Sequence, residues 1–217
     1  MAHFRGPNIV RNGLILALDA GSQRSYPGSG TTWYDLSGNG NHGTLYSVSH
    51  ATSNGGVFVT SGTSSSYIDI PSVNLSSSNF TVFTAARYNG GTRGRMVNGR
   101  YNNWLIGHWS NSTQNYYSEG WVSPVSNGVS DTNWRIYHAT GDISADNYTA
   151  YVNGSLNAVS NAAGGSAGPN GLTVGKIGYS TSEVSTGEVA FVYAYNRVLS
   201  VEEILQNYNA LRSRFGI

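Results

Sequence analysis

Residues 187–217, GEVAFVYAYNRVLSVEEILQNYNALRSRFGI, read as a long apolar strand, an abrupt helix start and one short amphipathic helix. In the strand half, Val189, Phe191, Tyr193 and Tyr195 fall on one phase, and Ala190, Val192 and Ala194 on the other. Apolar side chains on both phases describe a central strand covered on both faces. The small alanines predict close packing on the second phase. Ser200 with Glu203 three residues on is a capping box, in which hydroxyl and carboxylate each accept from the other residue's amide. Leu199 and Ile204 are spaced for the hydrophobic staple that fixes the entry angle. Val201, Ile204, Leu205, Tyr208 and Leu211 follow as a helical apolar stripe. Arg212 and Arg214 suit the negative end of the helix dipole, and Gly216 is the stop. Glu202 and Glu203 are therefore read as capping and dipole-compensating groups, not as an acid pair.

The rest of the chain has a different texture. Its 217 residues include 28 glycines and 15 tyrosines, with many Ser, Thr and Asn, which describes short strands and frequent turns. Charged residues make up only 11% and the net charge is +1, so there is no strong pull toward nucleic acid or anionic membrane. One lysine stands against eleven arginines, a balance that interfaces favour. With no cysteine, a disulfide framework, a thiolate nucleophile and cysteine-ligated zinc are excluded. The opening MAHFRGPNIVRNG lacks an apolar run of signal-peptide length, and no stretch is long enough to span a membrane. The expectation is a soluble protein made in a cytoplasm, with its Asn-x-Ser/Thr sequons there by chance.

Residues 1–12 read as an arm, with His3, Phe4 and Arg5 ahead of Gly6-Pro7, lying on a neighbour or on the domain's own surface. GLILALD at 13–19 is a second central strand. Residues 21–44 form a long loop with Trp33 and Leu36 as its anchors, ending in the tight turns of SGNGNHGT. Short strands follow at 56–60 and 67–70, the latter ending at Pro71, then at 80–87. Residues 90–95 make a basic turn. Segments 104–109 and 115–122 are paired aromatic-rich strands, 134–139 alternates, and 148–156 is a hairpin on the Asn153-Gly154 turn. Residues 160–171 read as a flexible loop. About a dozen strands with one late helix argue for an all-β sandwich of two antiparallel sheets, in a single domain over 13–217.

Four motifs carry a family resemblance: DLSGNGNHGT at 35–44, YVNGSL at 151–156, IG at 177–178 and, above all, YNRVLSVEEI at 195–204. The chain resembles the concanavalin A-like (laminin G-like) jelly-roll domains. More narrowly, GLILALDA, SYPGSGTTWYDLSGNGN, NNWLIGHW, YYSEGWV and QNYNALRSRFG make it similar to the versions in virion proteins of tailed bacteriophages, including phages of cyanobacteria. Many relatives place acidic residues in the strand before YNR, where this chain has Ala190 and Phe191, so no role of those carboxylates carries over.

Chemistry narrows the function. The eleven carboxylates are scattered, and the Glu-x-Asp-x-x-Glu strand used by glucanases of that superfamily does not occur. The five histidines share no ligand spacing, and His108 and His138 read as hydrogen-bonded sheet residues. Calcium is a candidate ligand on Asp35, Asn39 and Asn41, against the plainer reading of turn-forming residues. No phosphate loop is present. The best binding candidates are Arg93, Arg95, Arg100, Tyr101, Trp104, Trp109, Tyr116, Tyr117 and Trp121, either as core or as a patch facing a partner chain or a glycan. The resemblance implies a non-enzymatic virion component such as a capsid decoration, neck, fibre or tail protein. It would be assembled with other virion proteins and with copies of itself, without nucleic acid or membrane insertion. A glycan-binding adhesin is the alternative, and a glycoside hydrolase has the least support.

Overall fold

The computed structural model describes residues 7–123, 129–161 and 167–217. Among these, sixteen strands precede the helix: β1 (Leu14–Asp19), β2 (Thr32–Trp33), β3 (Gly43–Tyr46), β4 (Ser49–Ala51), β5 (Val57–Ser61), β6 (Tyr67–Asn74), β7 (Phe80–Arg93) and β8 (Val97–Gly99) come first. They are followed by β9 (Trp104–Trp109), β10 (Ser112–Ser118), β11 (Trp121–Ser123), β12 (Arg135–Asp142), β13 (Asn147–Val152), β14 (Ser155–Asn161), β15 (Asn170–Val174) and β16 (Ser185–Tyr195). The helix α1 spans Val201–Leu211. Pairing is antiparallel throughout, in two sheets. The first runs β14-β13-β12-β7-β16-β5-β4 with β1 also on β16, and the second runs β11-β10-β9-β8-β15-β6-β3-β2. The sheets pack face to face as a jelly-roll sandwich, and α1 lies on the outer face of the first.

β16 holds the centre. It pairs with β7 along one side, and along the other with β5 over Thr186–Val189 and then with β1 over Phe191–Tyr195. A bulge at Ala190 marks the change of partner, and Ala20 donates its amide to the Ala190 carbonyl there at 2.9 Å. The extra residue shifts the phase. Val189 joins Val192 and Ala194 in the core between the sheets, while Ala190, Phe191, Tyr193 and Tyr195 face the helix layer. A strict period of two therefore misplaces both Val189 and Ala190. It does predict the double burial correctly, and Ala194 provides the expected close packing.

The helix forms its capping box through Ser200 and Glu203. Arg197, of the YNR motif, grips the same Glu203 carboxylate with two bonds of 2.6 and 2.7 Å. Its buried face differs from the expected stripe: Val201 and Leu205 are 51% and 40% exposed, whereas Ile204 and Asn207 are fully buried. Asn207 is inside because it closes a ring. Its Oδ1 accepts from the Val10 amide at 2.8 Å, its Nδ2 donates to the Tyr195 hydroxyl at 3.0 Å, and that hydroxyl donates to the Val10 carbonyl at 3.1 Å. Residues 7–12 thus lie on the domain's own surface, as one of the two readings expected. His3, Phe4 and Arg5 lie outside the described residues. Arg214 does not serve the helix dipole alone: it donates to both oxygens of Asp19 at 3.0 Å and to the carbonyls of Asn54 and Gly56. Gly216, at φ +69°, is not the stop of α1, which ends at Leu211 and is followed by a tighter turn over Arg212–Arg214.

Elsewhere the strand reading needs smaller corrections. β6 runs through Pro71, whose missing N–H coincides with the register irregularity opposite Asn170 and Leu172. Trp33 is buried between the sheets, but Leu36 is exposed, and Tyr26 is the second anchor of its loop. The Asn153-Gly154 hairpin forms with both residues at positive φ, and Gly154 lies against the Tyr208 ring, where a Cβ would collide. The expected loop at 160–171 lies partly outside the described residues, and Asn170 and Gly171 belong to β15.

Both strand histidines are fully buried, and among the described residues neither has a hydrogen-bond partner. His138 stacks on Phe83 at 4.2 Å under the helix layer, and His108 meets Tyr88 and Tyr137 edge-on between the sheets. They are apolar packing units, not satisfied sheet residues. Burial lowers both imidazoles to about 3.

Two predictions follow from this packing. Asn207→Ala leaves the Val10 amide unpaired in the interior and is expected to cost about 1–3 kcal/mol in urea unfolding, with an unchanged m-value. The unfolded chain protonates its histidines near pH 6.5 while the folded chain resists until about 3, so stability falls as pH drops below 6.5. Each histidine should remove about 2 kcal/mol between pH 7.5 and 5. His138→Phe should therefore lose measurably less stability over that interval than the parent; an equal loss would remove His138 from the account.

Candidate functional site

The second sheet turns one face to the core and the other outward. Cross-strand partners share a face, so the register Leu45, Ile68, Val174, Val97, Ile106, Tyr116 places one row inside. The alternating row Thr44, Asp69, Thr173, Asn98, Leu105, Tyr117, Trp121 points outward. Thr173 and Asn98 are nonetheless fully buried. The segment 175–184 crosses this face as a strap and covers them. The Asn98 amide ties it down, donating to the carbonyls of Lys176 at 2.6 Å and Thr173 at 3.0 Å and accepting from the Gly178 amide at 3.1 Å. A Cβ on Gly178 would sit on the backbone of Arg100, which is the physical content of the IG motif. The far end of the strap is fixed by Arg95, which pairs with Glu183 and donates to Asn103 Oδ1 at 2.8 Å.

On one side of the strap, Trp109, Tyr117 and Trp121 make a half-buried aromatic platform. Trp121 meets Trp109 at 5.3 Å and Tyr117 at 5.1 Å, both edge-to-face. Beside it lies an open cleft of about 280 Å³ lined by Thr92, Arg93, Gly94, Trp109, Ser110, Glu183 and Val184. Arg93 is oriented by Asn111 Oδ1 at 3.0 Å and Ser130 Oγ at 3.2 Å, over the Tyr88 ring. The expected binding set therefore divides. Arg93, Trp109, Tyr117 and Trp121 come together here. Trp104 and Tyr116 are core, Arg95 is a buried strap anchor, and Arg100 and Tyr101 lie on the other side of the strap. Sequence reasoning missed Glu183 and Ser110, whose only signal was their nearness to turn glycines and asparagines.

The candidate calcium residues have another occupation. Asp35 accepts from the amides of Ala17, Ser37 and Asn41 and from the Ser37 hydroxyl, all within 3.0 Å. Asn39 and Asn41 donate to the carbonyls of Leu14 and Ile15. The DLSGNGN loop thus closes the free edge of β1, which among the described residues has a strand partner only in β16. Among the described residues, no group of three or more His, Asp or Glu side chains converges for a metal.

Six of the eleven carboxylates are held by arginines: Asp19, Asp69, Asp131, Glu183, Glu188 and Glu203. Where carboxyl titration is displaced it moves down: Asp131 to about 2 beside Arg135, Glu203 beside Arg197, and Asp142 and Glu202 through neighbouring serines. A glycosidic general acid needs the opposite shift.

The Laminin_G_3 family model, described as the concanavalin A-like lectin/glucanases superfamily, matches residues 60–205. This chain belongs to that family. No curated protein sequence matches it. Solved structures share the family's fold at low identity. The binding domain of Paraclostridial Mosquitocidal Protein 1 superposes with a TM-score of 0.67 at 17% identity, over 92% of this chain and 52% of that one. The ligand-binding domain of botulinum neurotoxin serotype D, in complex with N-acetylneuraminic acid, gives 0.64 at 15%, over 92% and 51%. Domain 4 of AbnA, a GH43 extracellular arabinanase from Geobacillus stearothermophilus, in complex with arabinotriose, gives 0.65 at 14%, over 90% and 98%. This concanavalin A-like domain spans about half the length of the toxin domains it matches. The two toxin neighbours are binding domains.

The division of the aromatic set is directly testable. Trp104→Ala should destabilise the domain by about 3–5 kcal/mol, whereas Trp121→Ala should cost under about 1.5 kcal/mol, both read from urea midpoints. Comparable losses would mean that the platform is core.

Proposed function

We propose that this concanavalin A-like domain is a non-catalytic recognition module that binds a glycan on the outer face of its second sheet. One observation carries the reading: a half-exposed Trp109–Tyr117–Trp121 platform borders a cleft walled by Arg93, Ser110 and Glu183. The C–H face of a sugar ring packs on exposed aromatic rings, while guanidinium, hydroxyl and carboxylate groups at the edge satisfy its hydroxyls. Glycans bound by structural neighbours, arabinotriose in one and N-acetylneuraminic acid in another, support this class of ligand. The absence of the glucanase motif favours binding over hydrolysis.

The setting we propose, the surface of a tailed-phage particle, comes from the sequence resemblance. There the domain attaches to other virion proteins, self-associates, and presents the platform to the host. Trp, Tyr and Arg also dominate protein interfaces. If assembly itself uses the patch, the platform will be covered by another chain in the particle and no glycan will reach it.

The test is a glycan array followed by titration of the hits, for the parent, Trp109→Ala and Trp121→Ala. We expect saturable binding that weakens at least about tenfold in both variants and is unchanged by chelator. Hits that bind all three proteins equally, or no hits together with burial of Trp121 in assembled particles, would replace the glycan reading with the architectural one.

A further inference from the structure

On the other side of the strap lies a second exposed cluster that the platform does not use. Tyr46 and Tyr67, cross-strand partners on β3 and β6, stack in parallel at 4.5 Å and 11°, and Tyr46 is 41% exposed. The Nζ of Lys176, the chain's single lysine, stands 3.8 Å over the Tyr67 ring. Among the described residues no carboxylate pairs with it. Two residues further along β6 from Tyr67, Asp69 accepts from Arg100 Nε at 2.6 Å. Arg100 also donates through Nη1 to the Gly178 carbonyl and lies 4.8 Å over Tyr101, itself 53% exposed. No protein acceptor among the described residues takes its Nη2. The cluster therefore has two cations, one carboxylate already engaged, and three tyrosine rings. Burial, and after it the neighbouring Arg100, lower the Lys176 pKa, while Asp69 raises it.

Charge and shape together restrict what fits. A neutral sugar needs no ammonium. A polyphosphate chain such as nucleic acid needs a long basic track, which a chain of net charge +1 lacks. A single anionic group attached to a ring matches: the ring packs on a tyrosine, and the anion reaches Lys176 and the free edge of Arg100. We propose that the Tyr46–Tyr67–Lys176–Arg100–Tyr101 ledge is a second saccharide site, independent of the tryptophan platform, that takes a sugar ring bearing a carboxylate.

The lone lysine provides the assay. An N-hydroxysuccinimide acetate pulse acylates only Lys176 and the α-amino group, and both are resolved by mass spectrometry. Trigalacturonate and sialyllactose are tested against their neutral counterparts, the galacturonate methyl ester and lactose. At least one acid should protect Lys176 while α-amino labelling stays constant, its neutral counterpart should not, and protection should fade with salt. By direct titration, Lys176→Gln and Tyr46→Ala should each weaken binding of that acid, Lys176→Gln at least about tenfold, while in Trp121→Ala the acid still protects Lys176 from acylation. Protection by neither acid, equal protection by the neutral partner, or loss in Trp121→Ala would overturn the second site. None of these outcomes depends on whether the platform binds its own glycan.

Discussion

The double burial of β16 is the constraint on which the rest of the structure depends. A strand with Val192 and Ala194 on one face and Phe191, Tyr193 and Tyr195 on the other is stable only if both faces are covered. The second sheet covers one. Residues 7–12, α1 and the chain end cover the other, which explains why the C-terminal segment is so heavily tied: the Asn207 ring to Val10 and Tyr195, Arg197 on Glu203, and Arg214 on Asp19. Buried polar groups cost little when every partner is present and much when one is missing. Those ties therefore fix one placement of the helix over β16.

The helix layer covers β16 on the first sheet, and the candidate sites lie on the outer face of the second. The second sheet would present its outer row to solvent, but the strap at 175–184 crosses it and splits the exposed surface in two. Asn98 and Arg95 hold the strap at its two ends, and Gly178 allows it to touch the backbone of Arg100. Each half keeps an aromatic group with polar neighbours of a different kind. The tryptophan side carries Arg93, Ser110 and Glu183, while the tyrosine side carries Lys176 and Arg100. Two patches with different chemistry on one sheet fit the recognition module proposed above.

Much of the fold was legible because local signals agreed with one another. The capping box, the Asn-Gly hairpin and the continuous apolar run at 187–195 each have one physical reading, and all three appear as expected. What was hidden depended on partners distant in the chain. No periodicity announces that Asn207 belongs inside, since its reason is Val10, nearly two hundred residues away. The bulge at Ala190 reversed the phase of Val189 because β16 changes neighbours there. His108 and His138 occupy strand positions that look like ordinary polar alternation, yet aromatic neighbours enclose them, and among the described residues neither has a hydrogen-bond partner. At the site, composition correctly singled out the aromatic and arginine set between 93 and 121. It could not tell Trp104 from Trp109, because that depends on which face of β9 meets Tyr116 and Phe80 across the core.

The five tryptophan indole N–H resonances give the most direct reading of the central claim, that recognition occurs on the outer face of the second sheet. In a two-dimensional NMR titration with an array-selected oligosaccharide, the account predicts that the Trp109 and Trp121 signals shift and saturate. Those of Trp33 and Trp104, buried in the core, and Trp134, under the C-terminal segment, should stay fixed. Saturable shifts confined to Trp134 would instead place the ligand at the helix layer and contradict the account.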